Sequence, residues 1–169
     1  MKRIILLLPL FVLLISSARS QNITIAKGKV SINKVTVTPG WTIADFVKGF
    51  GPKAGYVEGF TNVHHLENAG VLLYEKGTSD TVSEVQVYMT ANELTPETGV
   101  GLFKGVLKIE GNIISAVNTP AAVTGLLTGW QSVETYGEHY FKFTNGNMYL
   151  FIRFTDDELK IDEISFGQH

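Results

Sequence analysis

Two spacings of apolar residues alternate along the chain. Ile23 and Ile25, Val30 and Ile32, and Val35 and Val37 each enclose one polar residue, and a period of two marks half-buried strands. Gly28 and Asn33-Lys34 fall where turns between them belong. After Pro39-Gly40 the spacing changes, and Ile43, Phe46, Val47 and Phe50 lie on one side of a helix. Thr42 is its N-cap candidate with Asp45 three positions on, and Gly49, Gly51 and Pro52 end it. Strand patterns return over residues 62–66, 70–76 and 82–89, the last two joined by a turn at 77–80. A polar, glycine-containing connector then runs from Thr90 to Gly101.

The second half of the chain repeats the first. A shift of 77 positions sets Lys27-Gly28 on Lys104-Gly105, Ile32 on Ile109, Thr42 on Thr119, Leu73 on Leu150 and Asp80 on Asp157. Thr119 is again an N-cap candidate, Pro120 suits the first helical position, and Val123, Leu126, Leu127 and Trp130 form the apolar stripe. Strand patterns come next over 139–144, 147–154 and 158–166, and Asn145-Gly146 is a hairpin signal. The expected class is α+β: two tandem ββαβββ-like repeats, each an antiparallel sheet covered by one helix. The units would span 21–90 and 102–169, with 91–101 as linker. A unit of this size buries only a marginal core, so two units sharing an interface are expected. An accidental match between β-rich segments is the alternative.

The first twenty residues stand apart from this pattern. Met1-Lys2-Arg3 is followed by an apolar run from Ile4 to Ile15 and then by Ser16-Ser17-Ala18-Arg19-Ser20, the layout of a secretory signal peptide. The run is shorter than the roughly 20 residues a membrane-spanning helix needs. Cleavage before Gln21, with a second option before Arg19, would send the chain to the periplasm or the exterior. Without Lys2, Arg3 and Arg19 the chain carries 11 basic against 16 acidic residues. That balance disfavours nucleic acid, whose binding rests on phosphate neutralisation. With no cysteine, disulfides, thiolate nucleophiles and thiolate metal sites are excluded. No integral membrane segment is expected after cleavage.

The segments Phe103-Lys104-Gly105-Val106-Leu107-Lys108-Ile109-Glu110-Gly111 and His65-Leu66-Glu67-Asn68-Ala69-Gly70-Val71-Leu72-Leu73-Tyr74 resemble recurring pieces of an uncharacterised family of bacterial envelope domains. Glu110-Gly111 stands where that family has Asn-Gly, and Leu66-Glu67-Asn68 where it has tryptophan and aspartate. The tandem helix-plus-sheet outline is similar to beta-lactamase inhibitor protein and its relatives, secreted binding proteins with cysteines in each repeat. The resemblance implies a secreted binding fold and assigns no residue here a role.

Catalytic motifs are missing: the chain has no Gly-x-Ser-x-Gly elbow, phosphate loop, dinucleotide fingerprint or His-Glu-x-x-His segment. His64 and His65 would point to opposite faces of a strand, so a site joining them with His139 and Glu67 or Glu138 lacks convincing spacing. The acids Asp156-Asp157-Glu158 and Asp162-Glu163 read as a solvated hairpin tip, with calcium or glycosidase chemistry as the alternative. No catalytic residue, metal site or cofactor is assigned.

One pattern is more informative. Tyr149, Phe151 and Arg153 share one strand face, while Met148, Leu150, Ile152 and Phe154 share the other. Leu72, Tyr74 and Lys76 fall at the matching offset in the first unit. These six residues either pack one unit on the other or form a surface for a protein or glycan of the cell envelope. The functional expectation is a secreted or periplasmic non-catalytic binding or envelope-associated module. A structural component of an envelope assembly and a small periplasmic hydrolase are the alternatives.

Overall fold

A computed structural model describes residues 21–52, 55–59, 61–66, 69–91, 101–157 and 159–169. The proposed leader, most of the linker, and Glu67, Asn68 and Glu158 lie outside the described residues. The fold is mixed α+β, and the described residues form mostly strands, in two sheets, with two helices.

The chain opens with β1 (Asn22–Ala26), β2 (Lys29–Ile32) and β3 (Val35–Thr36), then α1 (Ile43–Phe50). Four strands come after it: β4 (Gly55–Val57), β5 (Val63–Leu66), β6 (Val71–Glu75) and β7 (Val82–Tyr88). The second half supplies β8 (Val106–Ile109), β9 (Asn112–Ile114) and α2 (Pro120–Leu126). It closes with β10 (Gln131–Tyr136), β11 (Tyr140–Asn145), β12 (Met148–Phe154) and β13 (Ile161–Gln168). Both expected helices form. Thr42 and Asp45 exchange side-chain and backbone hydrogen bonds in a capping box, and the Thr119 hydroxyl accepts from the Ala122 N–H. Trp130, expected on the second helix, lies beyond its end yet is buried.

The strands do not divide into one sheet per half. A five-stranded sheet runs β3-β2-β1-β8-β9, and an eight-stranded sheet runs β10-β11-β12-β13-β7-β6-β5-β4. The halves therefore meet twice through backbone hydrogen bonds, in parallel at β1–β8 and antiparallel at β7–β13. Two half-size sheets would leave four central strand edges unpaired, and joining them removes those edges. Ile23, Ile25, Val30 and Ile32 of the small sheet, Phe46 of α1, Val123 of α2 and Val85, Leu150 and Phe166 of the large sheet belong to one buried cluster. α1 approaches β2 so closely that a Cβ on Gly49 would stand 2.7 Å from Ile32 Cβ. Only glycine fits there.

Through the first part of each half, local geometry is similar at positions 77 apart. The turn residues Asn33 and Lys34 have φ of 50° and 70°, and Glu110 and Gly111 have 48° and 87°. Asn33 donates its side-chain amide to Gly49 O, and Asn112 donates its own to Leu126 O, tying each hairpin to the C-terminal end of its helix. From β6 onward the matching positions are 79 apart. The bulge that sets Glu75 opposite Val82 recurs where Phe154 meets Ile161. Asp80 and Leu159 both take positive φ in the following turns. By register, then, Leu150 answers to Val71, Phe151 to Leu72 and Arg153 to Tyr74. The expected pairs Leu73–Leu150, Tyr74–Phe151 and Lys76–Arg153 are each displaced by two residues, which leaves every side chain on its expected face.

Candidate functional site: the outer face of the large sheet

Cross-strand neighbours share a face, so the register fixes what lies on the side of the large sheet turned away from the core. One rung reads His65, Leu72, Gln86, Ser165, Phe151, Lys142, and the next Val63, Tyr74, Glu84, Gly167, Tyr149, Thr144. A third brings Tyr88, Glu163, Arg153 and Tyr140 into line. Five of the six sequence-derived candidates thus lie on one face, with β7 and β13 between the two groups. Lys76 lies just past the end of β6 and is exposed.

A hydrogen-bonded chain bridges that gap. The Tyr74 hydroxyl donates to Gln86 Oε1 at 2.6 Å, and Gln86 donates to the Glu163 carboxylate. Glu163 Oε2 lies 2.9 Å from an Arg153 guanidinium nitrogen, with Asp162 Oδ2 2.7 Å from the same nitrogen. Arg153 also hydrogen-bonds Tyr140. Adjacent strand residues normally face opposite ways, but Asp162 is the extra residue of the β12–β13 bulge, so it and Glu163 reach one cation. The expected solvated tip is corrected here: Asp162 and Glu163 are buried, while Asp156 is exposed beside His139.

Burial sets the electrostatics. It pushes the Glu163 carboxyl above its ordinary value, against the opposing pull of Arg153. It also drives the Tyr74 phenol up to about 12, helped by Tyr88, Glu84 and Glu163. Tyr149 is raised by burial and by its bond to Glu84. Burial alone would lower Arg153, but Glu163 and Asp162 outweigh it and hold the guanidinium charged.

The face is dry at one end and open at the other. Leu72 and Tyr88 are each 2% exposed and pack with Val63, Tyr74 and Leu102; Leu72 is therefore a packing residue. Tyr149, Phe151 and Arg153 are half-buried, and Tyr136 at the end of edge strand β10 is 56% exposed. Glu84, Tyr136, Lys142, Tyr149, Phe151 and His169 line a cavity of about 350 Å³. A neighbouring cavity of about 310 Å³ has Ala91, Tyr140, Arg153, Phe154, Thr155, Asp156 and Asp162 in its walls. Glu84, Tyr136, Tyr140 and Lys142 were missed from sequence. Only the alternation of Tyr140 and Lys142 on β11 could have pointed to them.

On the core side, His64 Nε2 lies 3.0 Å from Glu75 Oε2. Asn62 and the Asp80 N–H also donate to this carboxylate. The hydrogen bond with His64 leads the effects that hold Glu75 below its ordinary value. His65 is on the opposite face, as expected. Among the described residues no group of three or more His, Cys, Asp or Glu side chains could hold a metal ion. Nor, among them, is any helix long and apolar enough to cross a membrane.

The model of a domain family of unknown function, DUF7738, matches residues 22–123. The chain belongs to this family. The DUF7738 match runs from β1 into α2, taking in the whole small sheet and the β4–β7 part of the large one. The fold is similar to the crystal structure of YjgB, a DUF4309 family protein from Bacillus subtilis subsp. subtilis str. 168. The two share 16% identity at a TM-score of 0.50, over 85% of this chain and 89% of that one. A cysteine-rich secretory protein from Staphylococcus aureus subsp. aureus Mu50 aligns at 10% identity and a TM-score of 0.45, over 76% of this chain and 42% of its own. No curated protein matches the sequence.

Proposed function

We propose that this DUF7738 protein is an exported, non-catalytic binding module of the cell envelope, built from a duplicated unit. Its binding surface is the open end of the outer sheet face, where β10, β11 and β12 meet. The observation that carries the reading is the asymmetry of that face. Both halves of the face bear aromatic residues, yet Leu72 and Tyr88 at one end are dry, while Tyr149 and Phe151 at the other keep access to solvent and Tyr136 beside them is exposed. Aromatic and cationic side chains held beside a recess are the usual anchors of recognition. Export is supported by the basic start and apolar run of residues 1–20, and duplication by the paired turns, caps and bulges.

A photo-reactive phenylalanine analogue at position 136 of the full-length protein, in its own cells, tests the surface. Irradiation should give a discrete adduct that the same analogue at Ile113, exposed on the small sheet, does not give. No adduct at 136, or equal adducts at both positions, would refute the assignment. Mass spectrometry of the exported protein should find no peptide from residues 1–18.

A further inference from the structure

Resting on the binding reading above, we infer that the cavity beside β12 takes a carbohydrate, with one sugar ring lying on Tyr149. The decisive feature is how that tyrosine is held. Its cross-strand neighbour on β13 is Gly167, and a Cβ there would stand 2.4 Å from Tyr149 Oη and 2.6 Å from Cζ. The ring therefore lies along the sheet over the glycine instead of standing up from it. Its hydroxyl donates to Glu84 Oε2 on β7 at 2.8 Å, which pins the far end. The ring thus covers β13 at this rung, and the side chain is only half-buried, so part of it stays accessible. A platform already fixed in this way loses little freedom when a ligand settles on it.

Ligands that stack on such a platform are bases, cations, aromatic side chains and sugars, and the surroundings sort them. The acidic balance of the mature chain opposes a phosphate-bearing base, and the Lys142 ammonium offsets the Glu84 carboxylate that would otherwise draw a free cation into the cavity. An aromatic side chain would need an apolar slot. This wall instead presents an ammonium from Lys142, a carboxylate from Glu84, the hydroxyl of Tyr136 and the His169 ring, which lies 5.5 Å from Tyr149. Donors and acceptors around a flat apolar patch match a ring whose hydroxyls both give and take hydrogen bonds. The cavity of about 350 Å³ falls within the range of small-molecule sites. Phe151, two positions along the same face, offers a neighbouring ring a second contact.

The test is calorimetric titration of the mature protein with chitotetraose, cellotetraose and maltotetraose. At least one should bind saturably. Phe151→Ala and Lys142→Ala should each weaken that binding ten-fold or more, and Lys142→Ala should leave the melting temperature unchanged. Tyr149→Phe, which frees the ring from Glu84, should weaken it several-fold. The inference is overturned if none of the three sugars binds, or if all three variants bind as the parent does. An adduct at position 136 without sugar binding would sink the carbohydrate while leaving the binding module standing, and loss of both would sink both.

Discussion

His64 and Phe141 occupy the same place in the two halves of the large sheet, as do Glu75 and Phe154, yet one pair is polar and the other aromatic. The backbone around them is the same: Glu75 N–H donates to Asn62 O and Lys76 N–H to Thr81 O, while Phe154 N–H donates to His139 O and Thr155 N–H to Lys160 O. In the second half the rings of Phe141 and Phe154 meet edge to face at 5.5 Å, which only fills space. In the first, the Glu75 carboxylate gathers His64, Asn62 and the N–H of Asp80, whose own carbonyl accepts from Ile43 at the start of α1. One backbone position thus serves as packing in one half and as a tie between turn and helix in the other. What the position demands is a filled and satisfied space, and either chemistry supplies it.

The comparison breaks first at Phe154. Phe154→Ala should cost about 3 to 5 kcal/mol in denaturant melts, because the cavity sits beneath a bulge held by strands on both sides. A loss under about 1 kcal/mol would mean that this end of the sheet is already loose. Arg153→Met comes next at about 3 kcal/mol, since it strands the buried Asp162 and Glu163 without their cation. Tyr74, its register equivalent in the first half, carries no charge to strand.

Glu75 and Glu163, both buried, also pull stability in opposite directions with pH. Glu75 titrates below its ordinary value in the folded state. Its contribution is therefore full above the ordinary carboxylate range and is lost as pH falls through that range towards the lower folded value. Glu163 titrates above its ordinary value, so its contribution is full below that range and fades as pH rises through it. Denaturation midpoints between about pH 7 and pH 2 should show Glu75→Gln with a flatter acid loss than the parent, and an unchanged slope would refute the role given to this carboxylate. The smallest effect is expected from the most drastic change. The double variant His64→Phe/Glu75→Phe copies the second half into the first and should melt within about 4 °C of the parent, whereas Glu75→Phe alone takes the carboxylate from His64 and should melt well below it.

Much of this architecture is legible in the chain, and the failures have physical causes. Alternation revealed β1, β2, β3, β5, β6, β7, β11, β12 and β13, and the caps at Thr42 and Thr119 placed both helices. β10 escaped because an edge strand with solvent at hand needs no apolar face, and Gln131 to Tyr136 shows none. β4 is three residues long, too short for a period to register. The step from 77 to 79 was hidden because a slip of two preserves every face, so Leu73 and Leu150 are both fully buried without being equivalents. Adjacent acids promise solvent unless a bulge turns both inward, and no local pattern announces that Asp162 and Glu163 share Arg153. The aromatic face was visible as alternation. Which end of it stays open depends on burial across β6, β7 and β13, and hence on contacts distant in sequence.

The doubly shared sheets carry a consequence for the order of assembly. β1, the first described strand, lies in the middle of its sheet and needs β8 to complete its second edge, and β7 likewise waits for β13, the last described. A nascent first half can close its local hairpins early, but it holds two unsatisfied inner edges until the final residues arrive. Those edges are templates for any neighbouring strand. A chain released short of β13 therefore depends on a chaperone or on speed to escape aggregation.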